Sequence, residues 1–213
     1  MIYSRHEALD RLLNAYRRFY TVTRFDGGTP PEAAGPDAED RIREAAHLVP
    51  DLPAGPMSLR AVCEYYERTG QHLLLRQNEI WAARQEEFIF LFEVPELTPE
   101  RFGICRDFAY EKGMAMAHIG PEHMYTYISP VFVCDTVTAA ARRELEKCRI
   151  YKTFRFSLHG WMDFHAACYD ASQGALYFNK AGTCMRESLE GVLLPEKKAR
   201  KGLSRFFSIE FQK

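Results

Sequence analysis

The sequence lacks the short motifs that identify common catalytic and nucleotide-binding proteins. It contains no G-x-G-x-x-G or G-x-x-x-x-G-K-[ST] phosphate loop, no H-E-x-x-H pair, no G-x-S-x-G elbow and no EF-hand loop. These absences argue against nucleotide binding through a phosphate loop, and we expect no cofactor. An excess of charge of one sign is also missing, because 28 Lys and Arg face 29 Asp and Glu, for a net charge of −1. This balance argues against nucleic acid as a partner of the whole surface.

Long apolar runs and closely spaced cysteines are missing as well. The uncharged stretch near the chain centre covers only residues 123–134, too short for a membrane helix. The N-terminal residues turn polar at once, so we expect no secretory signal. No C-x-x-C pair occurs among the six cysteines, so we expect free thiols and a cytoplasmic location.

The composition predicts one folded domain with a connection and a tail. The 213 residues are 46% hydrophobic, enough for a sizeable core. We expect a single α+β domain over 1–194, interrupted by an acidic, Pro- and Gly-rich surface connection at 26–58 with a short helix near 37–46. Residues 195–213 form a basic, aromatic C-terminal tail that is either solvated or docked, or else binds an anionic partner.

Three helices are predicted from caps and apolar spacing. Ser4 and Glu7 form an S-x-x-E capping box. The apolar stripe that follows either covers the sheet or forms a homodimer contact, and consists of Leu9, Leu12, Leu13, Tyr16, Phe19 and Tyr20. Thr98-Pro99 begins a second helix, which Gly113 ends. Asp135 or Thr136 caps a third.

The remaining segments predict strands. Residues 59–68 are a strand or a helix, 80–83 a short strand, and 88–94 a central strand ended by Pro95. Strand 124–134 contains Pro130, which indicates an edge or a bulge. Alternation predicts strands 151–158, with Phe154, Phe156 and Leu158 on the buried face, and 161–169. The fold class is therefore α+β, a twisted mixed, largely antiparallel sheet with helices mainly on one face.

Three strings of the sequence resemble an uncharacterised family of small bacterial cytosolic proteins of unknown function. They are His123-Met124-Tyr125-Thr126-Tyr127-Ile128, Phe156-Ser157-Leu158-His159-Gly160-Trp161 and Tyr177-Phe178-Asn179-Lys180-Ala181-Gly182. The resemblance covers about residues 60–185. It implies a bacterial cytosolic protein, and it transfers no substrate and no catalytic residue.

One polar series is the best candidate for catalytic chemistry. If the strand continues through Gly160, one face carries Arg155, Ser157, His159, Trp161, Asp163 and His165. If His159-Gly160 is instead a hairpin turn, the polar set still lies near one face. His159, Asp163 and His165 could then perform acid–base work. The alternative is that this is the solvent-facing side of an antiparallel sheet.

Two further groups are candidates for ligand binding. His118 and His123 flank Gly120-Pro121-Glu122, a spacing that suits a metal loop, although loop histidines are common. Aromatic residues could line a cleft for a flat or sugar-like ligand, or could belong to the core. The candidate ligand-binding residues are Tyr125, Tyr127, Arg155, Trp161 and Tyr177.

Two function classes follow. The first is a non-catalytic accessory domain, self-associating as a homodimer, that binds a small ligand or a protein partner. The second is a metal-assisted, hydrolase-like enzyme that uses the His/Asp cluster. Convergence of the candidate side chains on one concave pocket favours the enzyme, and their dispersal over a convex face favours the binding domain.

Overall fold

A computed structural model describes residues 2–25, 58–72 and 79–194. The acidic connection apart from Ser58, its predicted helix near 37–46 and the basic tail 195–213 lie outside the described residues. The described helices are α1 (Arg5–Tyr16), α2 (Pro99–Met116), α3 (Ala139–Lys147) and α4 (Arg186–Leu193), with a 3-10 helix at Ala181–Met185. The described strands are β1 (Thr21–Arg24), β2 (Ser58–His72), β3 (Glu79–Leu97), β4 (His123–Val137), β5 (Tyr151–Thr153), β6 (Trp161–Phe164), β7 (Ala167–Asp170) and β8 (Ala175–Phe178).

The strands form one mixed sheet in the order β1-β2-β3-β4-β6-β5, with β7 beside β4 and β8 beside β7. The first three strands pair antiparallel, whereas β4 runs parallel to β3, β6 and β7. Helix α2 makes the crossover that two parallel strands require. The predicted α+β class is therefore confirmed.

Helices pack on both faces of the sheet, not mainly on one. Phe88, Phe90 and Phe92 pack in the same core as α2 and α3, whereas Ile89 and Leu91 pack in a second core with α1 and α4. Successive side chains of a strand point to opposite faces. The unbroken apolar run 88–92 is typical of a strand buried on both sides. A second helical layer could therefore have been predicted from this run.

Helix α1 confirms its predicted start and covers the sheet of its own chain. The Ser4 side chain accepts the Glu7 backbone N–H, and the Glu7 carboxylate accepts the Ser4 backbone N–H, which completes the capping box. Leu9, Leu12 and Leu13 are buried in the α1–α4 core. The leucines of the stripe are thus used within the chain, whereas Phe19 lies beyond the helix and is 75% exposed. The homodimer stays a prediction.

Several predicted boundaries are wrong. The two strands predicted at 80–83 and 88–94 are one strand, β3, with Pro95 inside it, whereas segment 59–68 lies in strand β2 and the strand alternative is confirmed. Helix α2 passes Gly113, whose missing side chain admits Ile128, because a Cβ there would lie 2.8 Å from the Ile128 side chain.

Helix α3 is capped by Thr138, which accepts the Ala141 N–H, and not by Asp135 or Thr136. Strand β4 continues to Val137 and therefore includes Asp135 and Thr136, the two residues expected to cap the helix.

Pro130 lies in a central strand and not at an edge. On one side β4 pairs with β3, where Pro130 is opposite Phe90. On the other side β4 pairs with β6 up to Ile128 and with β7 from Val131, in one continuous register. Proline has no N–H to donate, and it occupies the gap between β6 and β7 where no ladder is formed.

The strand predicted at 151–158 is mostly a turn. Strand β5 ends at Thr153, and the chain then reverses over 154–160. Arg155, Phe156 and Ser157 have φ angles of 46°, 53° and 69°, in the left-handed region. Phe156 is 100% exposed and Leu158 is 77% exposed, so of the expected buried face only Phe154 packs against a core. The alternation of Phe154, Phe156 and Leu158 predicted a strand wrongly, because the same spacing of three hydrophobic residues also occurs in this turn.

Candidate functional site

Four strands place a row of functional side chains on the α1–α4 face of the sheet. Glu87 of β3 is paired with Tyr65 of β2 on one side and with Tyr127 of β4 on the other, and Tyr127 is paired with Asp163 of β6. A second row contains Gln85, Tyr125 and Trp161. Paired residues of neighbouring strands share a face. The register therefore aligns the two rows across the sheet.

A cavity of about 1000 Å³ opens where the row meets α1 and α4. We call it the tyrosine cavity. Its wall includes Tyr16, Tyr20, Tyr65 and Glu87, with Arg11, Leu12, Asn14, Ala15, Arg18, Phe19, Ser188, Leu189, Gly191 and Val192. Its size is at the upper end of small-molecule sites.

Glu87 is the electrostatic centre of this face. Its carboxylate accepts the Tyr20 hydroxyl at 2.7 Å and the Ser129 hydroxyl at 3.3 Å. Burial, and next the Glu87 charge, raise the pKa of Tyr20. The same carboxylate makes a smaller contribution to the raised pKa of Tyr16, Tyr125 and Tyr127, for which burial is the largest cause, and to that of Tyr65, for which the hydrogen bond to Glu67 is the largest. Glu87 therefore lies within electrostatic reach of five tyrosines.

Aromatic rings extend from the cavity along β4 and β6. Tyr125 and Tyr127 stack with their centroids 4.5 Å apart, Trp161 lies 5.8 Å from Tyr125, and the Tyr127 ring lies 4.4 Å from that of His165. The Tyr125 hydroxyl donates to Gln85. This part of the predicted aromatic cleft is assembled as one surface.

Two predicted ligand-binding residues lie elsewhere. Tyr177 packs with the core on the α2–α3 face of the sheet. The Arg142 guanidinium lies over the Tyr177 ring, 4.3 Å from the ring centroid. Its partner in the sheet, Cys168, points to that same core. Arg155 is exposed in the turn after β5. These positions separate both residues from Tyr125, Tyr127 and Trp161.

The predicted catalytic set divides into two parts. His165 Nε2 lies 3.6 Å from Asp163 Oδ2, so these residues come together. His159 lies in the turn, where its backbone oxygen bonds His123 Nδ1 at 2.7 Å. The strand does not continue through Gly160, whose φ is +71°.

His118 and His123 belong to a network around a buried carboxylate. Glu86, fully buried, contacts His118 Nδ1 at 2.9 Å and accepts the Thr126 hydroxyl at 3.2 Å. Thr126 also contacts His123 Nε2 at 2.7 Å. Among the side chains of residues 2–25, 58–67 and 83–194, no group of three His, Cys, Asp or Glu is placed to hold a metal ion.

Cys184 is a site residue that the sequence reasoning missed. Its Sγ lies 3.4 Å from His165 Nδ1, although the two residues are 19 positions apart. Asn179 joins the two chain segments that contain them, because its Oδ1 accepts the N–H of Ala166 at 3.0 Å and that of Gly182 at 2.7 Å. No local motif signals this contact, because it depends on the path of the chain after β8.

Glu87 was missed because it lies immediately before the predicted central strand 88–94. Strand β3 includes it, and the period of two places it on the same face as Ile89 and Leu91. That position could have been found from the alternation.

The chain belongs to a family of unknown function. The family model described as Domain of unknown function (DUF8052) matches residues 41–191, which confirms the resemblance to an uncharacterised family. Comparisons with curated proteins and with solved structures found no match. In the described part of the chain, none of the helices has the length and apolar character to cross a membrane.

Proposed function

We propose that this protein is a ligand-binding domain, and that its ligand is a small organic cation held in the tyrosine cavity. The observation that carries the proposal is the Glu87 carboxylate, which is half-buried among tyrosine rings and opens onto a cavity of about 1000 Å³.

The charge of Glu87 supports a cationic ligand. Within the described residues its hydrogen-bond donors are two neutral hydroxyl groups, of Tyr20 and Ser129, and no basic side chain pairs with it. The nearby Arg11 guanidinium instead lies over the Tyr3 ring, 3.9 Å from its centroid. A carboxylate removed from water is stabilised by an opposite charge. A bound cation would supply that charge.

The aromatic wall supports the same ligand class. The Tyr16 and Tyr20 centroids are 5.5 Å apart, and those of Tyr20 and Tyr65 are 5.8 Å apart. Ring faces attract a cation by about 0.5–2 kcal/mol each, depending on desolvation. Quaternary ammonium groups are recognised in this way, by aromatic rings around one charge. Val192, which is half-buried, provides apolar surface for the rest of a ligand.

Isothermal titration calorimetry with a matched pair of probes tests the proposal. Choline and its neutral isostere 3,3-dimethylbutan-1-ol differ in charge but hardly in shape. We expect the protein to bind choline at least about tenfold more tightly, which corresponds to one or two cation–π contacts and one charge pair. Glu87→Gln removes the charge pair and should reduce the preference to what the tyrosine rings alone supply. Glu100→Gln, an exposed residue of α2, is the matched control and should keep it.

Equal affinity of the two probes for the wild-type protein would contradict the proposal. A choline preference that Glu87→Gln leaves undiminished would contradict it as well, because the cation would then bind away from Glu87.

We also infer a reducing, cytoplasmic location. The support is that all six cysteines, each within the described residues, are free, and that Cys63, Cys105, Cys134 and Cys168 are buried. Bacterial origin and a homodimer stay predictions from the sequence.

A further inference from the structure

Cys184, His165 and Asp163 form a chain of three side chains beside the tyrosine cavity. The Cys184 thiol contacts His165 Nδ1 at 3.4 Å, and His165 Nε2 faces Asp163 Oδ2 at 3.6 Å. Cys184 is exposed, whereas His165 is only 4% exposed. Asp163 is half-buried, so Cys184 is the most exposed residue of the three.

The order of the chain fixes which imidazole nitrogen accepts a proton. A carboxylate can only accept hydrogen bonds when ionised, so Asp163 favours the tautomer with hydrogen on Nε2. Nδ1 then carries the lone pair and faces the thiol hydrogen. A nucleophile, a base and a group that orients the base are the recurring elements of thiol catalysis.

The backbone around both residues is held by Asn179. Its Nδ2 donates to the oxygens of Phe164 and Cys148, at 2.8 and 3.1 Å, while its Oδ1 bonds Ala166 and Gly182. Gly182 is closely packed, because a Cβ there would lie 2.6 Å from the Ala166 oxygen. The sulfur and the imidazole are therefore positioned by buried contacts and not by a chance surface encounter.

Burial favours a neutral thiol and a neutral imidazole in this pair. Burial lowers the pKa of His165, and the opposing effects of Asp163 and Glu87 are smaller. Burial, then Glu87, raise the pKa of the Cys184 thiol, while backbone hydrogen bonds from Met185 and Cys184 act against this. A neutral imidazole can accept the thiol proton during attack, as a general base does.

We propose that Cys184 is a nucleophile towards acyl esters, with His165 as its base and Asp163 as a positioning residue. The thiol proton moves to His165 Nδ1 while Sγ bonds to the acyl carbon. The carbon–oxygen bond of the ester then breaks, and the leaving alcohol takes the proton from His165. The product is a thioester on Cys184, and water cleaves it to a carboxylic acid and the free thiol.

This activity goes beyond ligand binding and stands on different contacts. Glu87 contributes to the environment of both Cys184 and the tyrosines, and Ser188, four residues after Cys184, lines the cavity. The thiol chemistry is testable with a neutral probe, so it does not depend on cation binding.

The test uses p-nitrophenyl acetate with the full chain. We expect a burst of one equivalent of p-nitrophenolate and, by mass spectrometry, an acetyl group on Cys184. Cys184→Ala should abolish both, and Cys148→Ala, at a half-buried cysteine, should change neither. His165→Gln should slow the burst by about 100-fold or more, the usual effect of a general base.

The pH profile separates a chemical role from a structural one. In the wild type the burst rate should rise with pH through the low pKa of His165 and then level off. Asp163→Asn removes a charge that favours imidazolium, so this rise should move to lower pH. The groups that set the pKa of His165 are Asp163 and Glu87 together with burial.

Acetylation of Cys184 no faster than that of Cys148 would overturn the proposal. A wild-type burst rate in a folded His165→Gln variant would do the same. If His165→Gln does not fold, Asp163→Asn decides, and an unchanged pH profile in that variant counts against the proposal.

Discussion

Asn179 holds Gly182 against the gap between β6 and β7, because its Oδ1 accepts the Gly182 N–H at 2.7 Å. The same amide bonds Ala166, Phe164 and Cys148, and its own backbone N–H donates to the Ala166 oxygen. Ala166 lies in the gap between β6 and β7, beside Pro130, where no backbone ladder is formed. The buried Asn179 thus supplies hydrogen bonds that the ladder does not make there, and it helps to place Cys184 beside His165.

Asn179→Ala should lower the free energy of unfolding by about 3 kcal/mol or more, since a buried hydrogen-bonding group left unpaired costs about 1–3 kcal/mol. Urea denaturation measures this. Lys180→Ala, at the exposed neighbouring position, is the control and should stay within about 0.5 kcal/mol of wild type. A similar small effect of both changes would show that the amide does not hold this gap.

Two glycines should respond in opposite directions to alanine. At Gly182 a Cβ would lie 2.6 Å from both the Ala166 oxygen and Asn179 Oδ1, so Gly182→Ala should destabilise by about 2 kcal/mol. At Gly103, inside α2, nothing lies within 4 Å of the added carbon, and Gly103→Ala should stabilise by about 0.5–1 kcal/mol. Thermal melts of the two variants provide the comparison, which fails if both shift the same way.

Phe156→Gly should not destabilise the protein. The side chain is fully exposed and its φ is 53°, a conformation that costs an L-residue about 1–2 kcal/mol and glycine little. We expect the unfolding free energy to rise by up to about 1 kcal/mol. Phe164→Ala, at a fully buried ring, should cost about 3–5 kcal/mol. A loss of stability in Phe156→Gly would indicate that the turn packs against something.

His165 should make the protein less stable in mild acid. Its pKa is lowered in the folded state, mainly by burial, whereas the unfolded chain has the ordinary value of about 6.5. Below pH about 6.5 the unfolded chain therefore binds more protons, and the free energy of unfolding falls until the folded-state pKa is passed. The measurement is the urea midpoint of wild type and His165→Gln at several pH values. The variant should show a smaller loss between neutral and acidic pH, and parallel curves would contradict this.

The local features of the fold were predictable from the sequence. The Ser4–Glu7 box, the Thr98–Pro99 start and the buried run 88–94 depend on neighbours in sequence, and the structure confirms all three. The sequence also placed Asp163 and His165 on one face, and the two side chains do meet, although β6 ends at Phe164 and His165 lies just beyond it.

The features that failed depend on distant parts of the chain. Cys184 meets His165 only because Asn179 binds Gly182, and Tyr177 leaves the aromatic surface because its register with Cys168 turns it to the other face. The turn at Arg155–Ser157 defeats an alternation argument, since left-handed backbone has no fixed residue signature outside glycine and asparagine.

A crystal structure of the protein with tetramethylarsonium tests the central claim most directly. This ion has the shape and charge of a quaternary ammonium group, and its arsenic is located by anomalous scattering. We predict an anomalous peak in the tyrosine cavity, within about 6 Å of the Tyr20 and Tyr65 ring centroids and next to the Glu87 carboxylate. A peak only elsewhere on the protein, or an unchanged peak in Glu87→Gln, would contradict the account.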